Sequence, residues 1–139
     1  MMLLLLAMGI VAQAQTVVSL NGEWQFFYAK DVEQADSFAA TGFQREDYKS
    51  ANFKLTPVPS NWAVLGYEEP VYRGFKDDKA SEGFYRLRFR TPEGFNGKRV
   101  LLHFGGVWNS AEVWLNGKHL GRHDSGYTSF TFNITGDLN

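Results

Sequence analysis

The chain has 139 residues, with 14 basic and 15 acidic side chains, a formal net charge of −1 and no cysteine. This length suits one domain with a hydrophobic core. The interspersed charges exclude a basic stripe for nucleic acid, and the lack of cysteine excludes disulfides and thiolate metal sites. Aromatic residues make up 16% of the chain beside 14 glycines, a composition that indicates an all-β domain of extracellular type.

The first residues, MMLLLLAMGIVAQAQ, predict a secretory signal peptide. An apolar run, Met1–Val11, precedes an Ala-Gln-Ala stretch that signal peptidase accepts, and cleavage after Ala14 would leave Gln15 as the mature N-terminus. The run is too short to span a bilayer, so we expect no membrane span. No Lys or Arg precedes it, which leaves open a start further upstream, and a buried N-terminal strand is the alternative. We expect residues 1–14 to be removed and residues 15–139 to form one domain, exported to the periplasm or the exterior of a bacterial cell.

The first predicted strand is GEWQFFYA, in which the alternate residues Trp24, Phe26 and Tyr28 share one face. This alternation is typical of a half-buried strand. The stretch that follows, Asp31–Gly42, is either a short helix with Asp31 as its N-cap or a loop.

A long irregular stretch, Thr56–Ala80, comes next and is called the Pro-rich loop below. It contains three prolines and four aromatic residues. Loops of this length are usually functional or disordered, and the aromatic content argues against disorder.

The remaining strands follow at intervals of about ten residues, which predicts an antiparallel sandwich. Their sequences are FYRLRFR, RVLLHF, AEVWL, KHLGRH and TSFTFNI. In the first of them Arg86, Arg88 and Arg90 alternate with apolar residues, so we expect these arginines to leave the core. They are then either solvated or paired with another domain.

A hairpin joins AEVWL to KHLGRH through Asn116-Gly117. Asn-Gly favours a type I′ turn, because both central residues need a positive φ. This turn predicts that Trp114 lies opposite His119 and that Val113 lies opposite Leu120. The hairpin is therefore mainly structural.

Four stretches carry a resemblance to a known family: SLNGEWQFFYA, VPSNWAVLGYEEPVY, EGFYRLRFRTPE, and the long stretch from LLHFGGVW to FTFNIT. In this order they are similar to the opening strand, the V-P-x-N-W…G-Y…P-x-Y segment, the G-x-Y-x-x-x-F strand and the V-W-x-N-G hairpin signature of one domain. That domain is the N-terminal domain of glycoside hydrolase family 2, the family of β-galactosidases, β-glucuronidases and β-mannosidases. The resemblance covers Ser19–Leu138 and is strongest to the β-galactosidase branch.

The resemblance implies a jelly-roll-like antiparallel β-sandwich of the galactose-binding-domain type, often called the sugar-binding domain. It implies a parent that hydrolyses terminal β-glycosides of carbohydrates with retention, through two glutamates of a TIM-barrel domain further downstream. No catalytic residue and no cofactor is then expected in this chain, since a magnesium or sodium site of the family would use barrel residues. The chain stops at GDLN, where the family continues into a G-x-N strand. The resemblance therefore implies a fragment that lacks its last strand and packs on downstream domains.

Aromatic residues are the main candidates for contact with a sugar, because their rings stack on the apolar face of a pyranose. The candidates are Trp62, Tyr67, Tyr72, Trp108 and Tyr127, with Asn61, Arg73 and Asn109 as hydrogen-bonding neighbours. The alternative for Trp62 and Tyr67 is that they only pack the Pro-rich loop onto the sandwich.

The resemblance narrows the site to one segment. In β-galactosidases an Asn two positions past the Tyr of P-x-Y helps to position the substrate, and this position is Gly74 here. Gly74 has no side chain, so neighbouring Arg73 is the residue left to make such a contact. The predicted substrate rim therefore consists of Asn61, Trp62, Tyr67, Tyr72, Arg73 and Gly74.

We expect no metal site. Two of the three histidines, His119 and His123, would lie about 13 Å apart along a strand. The adjacent acid pairs Glu68-Glu69 and Asp77-Asp78 do not face each other across a substrate, so they give no acid–base signature. The hypothesis is therefore a non-catalytic domain of an exported β-galactosidase-like enzyme. The alternatives are a β-glucuronidase- or β-mannosidase-type parent, a stand-alone carbohydrate-binding module, and an adhesive sandwich without sugar contact.

Overall fold

The computed structural model describes residues 15–49, 52–68 and 81–138. These residues form one helix and seven strands: β1 (Gly22–Ala29), α1 (Val32–Ala39), β2 (Lys54–Val58), β3 (Glu82–Arg86), β4 (Leu101–Phe104), β5 (Ala111–Leu115), β6 (Lys118–His123) and β7 (Phe130–Asn133). All strand pairs are antiparallel, which confirms the predicted all-β sandwich. In the described ranges no helix has the length and apolar character needed to cross a bilayer. The predicted signal peptide, residues 1–14, lies outside them.

Strand β1 is the centre of a three-stranded sheet in the order β2-β1-β3. Its Phe26 is 1% exposed and its Ala29 is 0% exposed, although they lie on opposite faces. The prediction of a half-buried strand therefore holds for the first half of β1, where Glu23 and Gln25 are exposed, and is wrong at its end, where α1 covers the second face. Strand β2 was not predicted, since Pro57 interrupts its pattern, yet an edge strand tolerates proline.

Helix α1 confirms the helical alternative for the stretch after β1. The side chain of Asp31 caps it, with Oδ1 accepting a hydrogen bond of 2.9 Å from the amide of Gln34. Buried Phe38 stacks on Phe27 of β1 at 4.1 Å between ring centroids and packs against Phe84 of β3. The helix therefore closes a core between itself and the three-stranded sheet.

Two two-stranded sheets, β4-β7 and β5-β6, form the second half of the domain. Their shared core is Val100, Leu115 and Ile134, against which residues from both sheets pack. The hairpin between β5 and β6 has φ of 51° at Asn116 and 80° at Gly117, which confirms the expected pair of positive φ values.

The pairing within the hairpin departs from the prediction at one point. Trp114 faces His119 as predicted, but Val113 faces Gly121 rather than Leu120. A bulge between the two pairs leaves Leu120 as the extra residue, and Leu120 packs on the shared core. Gly121 adopts a φ of 149°, and a methyl group there would lie 2.9 Å from Phe132 Cε1.

The arginines of β3 bind backbone carbonyls within the domain. Arg86 donates from Nη1 to the carbonyl of Tyr48 at 2.7 Å and from Nη2 to that of Arg45 at 2.9 Å. Both Arg86 and Arg88 also donate to the carbonyl of Glu46, at 3.0 and 2.6 Å. The prediction of a solvated or interdomain arginine face is therefore wrong for Arg86, which is half-buried and holds residues 45–48 against β3, whereas Arg88 is exposed while it also binds Glu46.

Candidate functional site

The first part of the Pro-rich loop is seated on the sheet by two aromatic side chains. Trp62 donates from Nε1 to the hydroxyl of Tyr85 at 2.6 Å, and the hydroxyl of Tyr67 shares a hydrogen bond of 3.1 Å with Thr56 Oγ1. Their ring centroids lie 6.0 and 5.0 Å from that of buried Phe26. The contacts of Trp62 and Tyr67 are thus those expected of residues that pack this loop onto the sandwich.

The hydroxyl groups that hold Trp62 and Tyr67 are those of Tyr85 and Thr56, and both lie in hydrogen bonds. Burial raises the pKa of the Tyr85 phenol above its ordinary value, an effect that the bond from Trp62 opposes and that the nearby Tyr67 reinforces. Tyr85 is therefore neutral at physiological pH and accepts the indole hydrogen. The Thr56 side chain beneath is 1% exposed, and its hydroxyl has Tyr67 as a partner.

Asn61 begins the turn that carries these two rings. Its Oδ1 accepts hydrogen bonds from the amides of Ala63 at 2.9 Å and Val64 at 3.2 Å, a turn-forming arrangement typical of asparagine. The structure therefore brings Asn61, Trp62 and Tyr67 into one compact turn. The other three predicted rim residues, Tyr72, Arg73 and Gly74, lie outside the described residues, so the rim stays a prediction.

A second pair of candidate aromatics, Trp108 and Tyr127, points outward. Trp108 is 61% exposed and Tyr127 is 86% exposed. Their ring centroids are 5.1 Å apart at an interplanar angle of 83°, an edge-to-face contact. Sequence reasoning named both residues but did not single out Gly126, which lies against the Trp108 ring.

Charged side chains on the hairpin form a surface network. Arg122 contacts Asp124 at 2.7 Å and Glu112 at 3.4 Å, and His119 lies 3.8 Å from Glu112. The hydrogen bond that Arg122 donates to Asp124 raises the pKa of Arg122, and each of these side chains is at least 41% exposed. Exposed pairs of this kind contribute little to stability, because water and salt screen them. Among the described residues no three His, Asp or Glu side chains are grouped to hold a metal ion.

One open cleft of about 220 Å³ lies at the arginine end of the three-stranded sheet, below the roughly 300 Å³ at which small-molecule sites begin. It is lined by Glu23, Gln25, Leu55, Arg86, Leu87 and Arg88. The guanidinium of Arg86 is already committed to backbone carbonyls. Burial and the charge of Arg88 also lower its pKa. The cleft is therefore not a strong candidate for a binding site.

Comparison with known proteins identifies relatives that are much longer than this chain. A β-galactosidase of Thermoanaerobacter pseudethanolicus is 30% identical over 119 residues, which cover 86% of this chain and 14% of that protein. A β-galactosidase of Vibrio vulnificus is 32% identical over an alignment of 142 residues, which covers 94% of this chain and 13% of that protein. The chain thus spans about one seventh of the length of these curated relatives.

Solved structures share the fold. A β-glucuronidase from an uncultured Clostridium species superposes with a TM-score of 0.70 at 23% identity, covering 96% of this chain and 22% of that one. A Bacteroides uniformis β-glucuronidase superposes with a TM-score of 0.65 at 26% identity, covering 88% of this chain and 13% of that one. Residues 17–138 match the family model described as glycosyl hydrolases family 2, sugar binding domain. The chain therefore belongs to the family of sugar-binding domains found in family 2 glycosyl hydrolases.

Proposed function

We propose that this chain is the non-catalytic N-terminal domain of a retaining β-galactosidase-like glycosidase that cleaves terminal β-glycosides. The observation that carries this proposal is the pattern of similarity to named β-galactosidases. Identity of 30–32% extends over 86–94% of this chain but over only 13–14% of each relative. The catalytic glutamates and any metal site would then belong to the much larger remainder of the parent protein.

The domain would act as a scaffold and lend the Val58–Phe75 stretch to the rim of the active site. The contacts of Trp62 and Tyr67 support this role, because they anchor the first part of the stretch to the sheet. A fixed base preorganises the residues beside it for contact with a ligand. In this proposal Tyr72, Arg73 and Gly74 reach the substrate, and Trp62 and Tyr67 hold them in place.

Export is the second element of the proposal. The apolar run and the Ala-Gln-Ala stretch support a cleaved signal peptide of residues 1–14 in a bacterial protein of the periplasm or cell exterior. Expression of the chain from Met1 in a bacterial host should give a mature N-terminus at Gln15, measured by mass spectrometry of the periplasmic fraction. Retention of the first fourteen residues in a cytoplasmic product would refute export.

A β-glucuronidase parent is the second candidate, since specific similarities favour it. The two superposed structures are β-glucuronidases, and a putative β-glucuronidase of Formosa agariphila is 28% identical over 88% of this chain. The full-length protein should be assayed with p-nitrophenyl β-galactoside, β-glucuronide and β-mannoside. Preference for the galactoside, with the β-anomer released first in proton NMR, is the expected result. Preference for the glucuronide would refute the β-galactosidase parent and support the β-glucuronidase parent. Hydrolysis of none of the three substrates would overturn both candidates.

A further inference from the structure

The strand register brings two loops of equal length to one end of the sandwich. Residues 105–110 connect β4 to β5, and residues 124–129 connect β6 to β7. Because Phe104 pairs with Phe130 and Ala111 pairs with His123, all four strand ends that bear these loops meet there. The strand pairing therefore brings together Trp108 and Tyr127, one from each loop.

The Trp108 ring is held in place before any ligand arrives. A methyl group on Gly126 would lie 2.5 Å from Trp108 Cε3, so the indole lies directly against the backbone of the other loop. Tyr127 meets the same indole edge-to-face, with 5.1 Å between centroids. Because the indole packs against Gly126 and Tyr127 while Trp108 is still 61% exposed, the ring is held in place and also presents surface to a ligand.

The base of both loops is a stack of aromatic rings. His123 lies 4.3 Å from Phe130 and Phe130 lies 4.7 Å from Phe104, each pair nearly parallel. His123 Nε2 also shares a hydrogen bond of 2.9 Å with Thr128 Oγ1, which ties the second loop to its own strand. The stack fixes the loop ends, so the ordering cost of a ligand at the platform is small.

The charges of the two loops select the class of ligand. Asp124 is the one charged residue in 105–110 and 124–129, and it is paired with Arg122 at 2.7 Å. Arg122 also contacts Glu112, so it is not a free cation for an acidic ligand. Neither loop offers a positive charge to a carboxylate, whereas exposed tryptophan and tyrosine rings suit the apolar face of an uncharged pyranose.

We propose that Trp108 and Tyr127 form a binding site for a neutral hexopyranose, which stacks on the 86% exposed Tyr127 ring and contacts the indole that stands nearly perpendicular to it. The inference rests on the proposed function only for its ligand class, a carbohydrate. Asn109, which follows Trp108 in the sequence, is exposed and carries both a donor and an acceptor group.

The test measures the affinity of the full-length protein for β-galactan and for polyglucuronate by affinity gel electrophoresis. Tyr127→Ala should weaken galactan binding at least tenfold, whereas Tyr127→Phe, which keeps the ring, and Val17→Ala, at an 80% exposed position outside both the platform and the Val58–Phe75 stretch, should bind as the wild type does. Trp108→Ala should also lose binding. The Trp108 ring packs against Gly126, so its removal can unfold the Trp108→Ala protein. In that case the Tyr127 variants decide the test, because Tyr127 is 86% exposed and its replacement does not disturb a packed core.

Three results would overturn the inference: unchanged galactan affinity in Tyr127→Ala, an equal loss in Tyr127→Phe, or tighter binding of polyglucuronate than of galactan. Protection of Trp108 and Tyr127 from hydroxyl-radical oxidation in the sugar-free protein would do the same, because it would mean that another part of the protein covers the rings. Hydrolysis of aryl β-glycosides by the same wild-type preparation separates the two proposals. An active enzyme without platform binding refutes the site alone, and a galactan-binding protein without hydrolysis refutes the proposed function alone.

Discussion

Replacement of Gly83 by alanine tests whether Trp62 is the fixed seat of the Pro-rich loop. Gly83 lies in β3 opposite Tyr28, and a methyl group there would run into Trp62 Cζ2 and would lie 2.8 Å from Phe26 Cε2. Both rings belong to one packed cluster, so the loop seat must shift to admit the methyl group.

The expected cost follows from two opposing effects. Overpacking of this kind costs about 1–3 kcal/mol. A glycine-to-alanine change returns about 0.4–1 kcal/mol by restricting the unfolded chain. The midpoints of the two ranges leave a net loss in free energy of unfolding of about 1.3 kcal/mol, which corresponds to a fall in Tm of about 3–10 °C for a domain of this size.

The assay is urea unfolding followed by tryptophan fluorescence, with two further variants. Gly136→Ala is the matched control, because nothing lies within 4 Å of a methyl group there, and it should be neutral or slightly stabilising. Trp62→Phe removes Cζ2, so Gly83→Ala in that background should cost at least about 1 kcal/mol less than in the wild type. A Gly83→Ala protein as stable as the control, or equal costs in both backgrounds, would refute the packing argument.

The remaining predictions concern three polar contacts. Arg86→Lys should lower the free energy of unfolding by about 1 kcal/mol, because an ammonium group does not reproduce the guanidinium fork that reaches three carbonyls; an unchanged urea midpoint would contradict this. The raised pKa of Tyr85 stabilises the fold below the unfolded-state value of 10.0, and this contribution is lost as pH rises through the folded pKa. Wild type should therefore lose more stability than Tyr85→Phe between pH 9 and about 11, and parallel pH profiles from thermal melts would exclude the effect. Asp31→Ala should cost about 1 kcal/mol by removing the helix cap, whereas Asp31→Asn should retain most of it in the same melts.

Local chemistry was the part of the fold that could be predicted from sequence. Asp31 before a helical stretch and Asn-Gly between two strands each act over about four residues, and both behave as predicted. Strand alternation likewise predicted the antiparallel sandwich, and the order of four motifs predicted the family. These signals do not depend on which other part of the chain covers them.

Partners far away in sequence decided what local patterns did not. Alternation alone predicts that Arg86 leaves the core, but the carbonyl of Arg45, 41 residues earlier, draws the guanidinium back onto the domain. The bulge at Leu120 is equally a tertiary effect, because Phe132 of a facing sheet occupies the space that a side chain at position 121 would need.

The direction of the aromatic rings is the clearest division between sequence and structure. The sequence by itself determined an aromatic-rich sandwich of a recognisable family with several rings in its loops. Only the tertiary structure decided that Trp62 and Tyr67 turn toward Phe26 while Trp108 and Tyr127 face outward. The physical reason is that irregular segments have no period to assign a face, so a ring is buried only where distant strands leave an apolar surface to receive it.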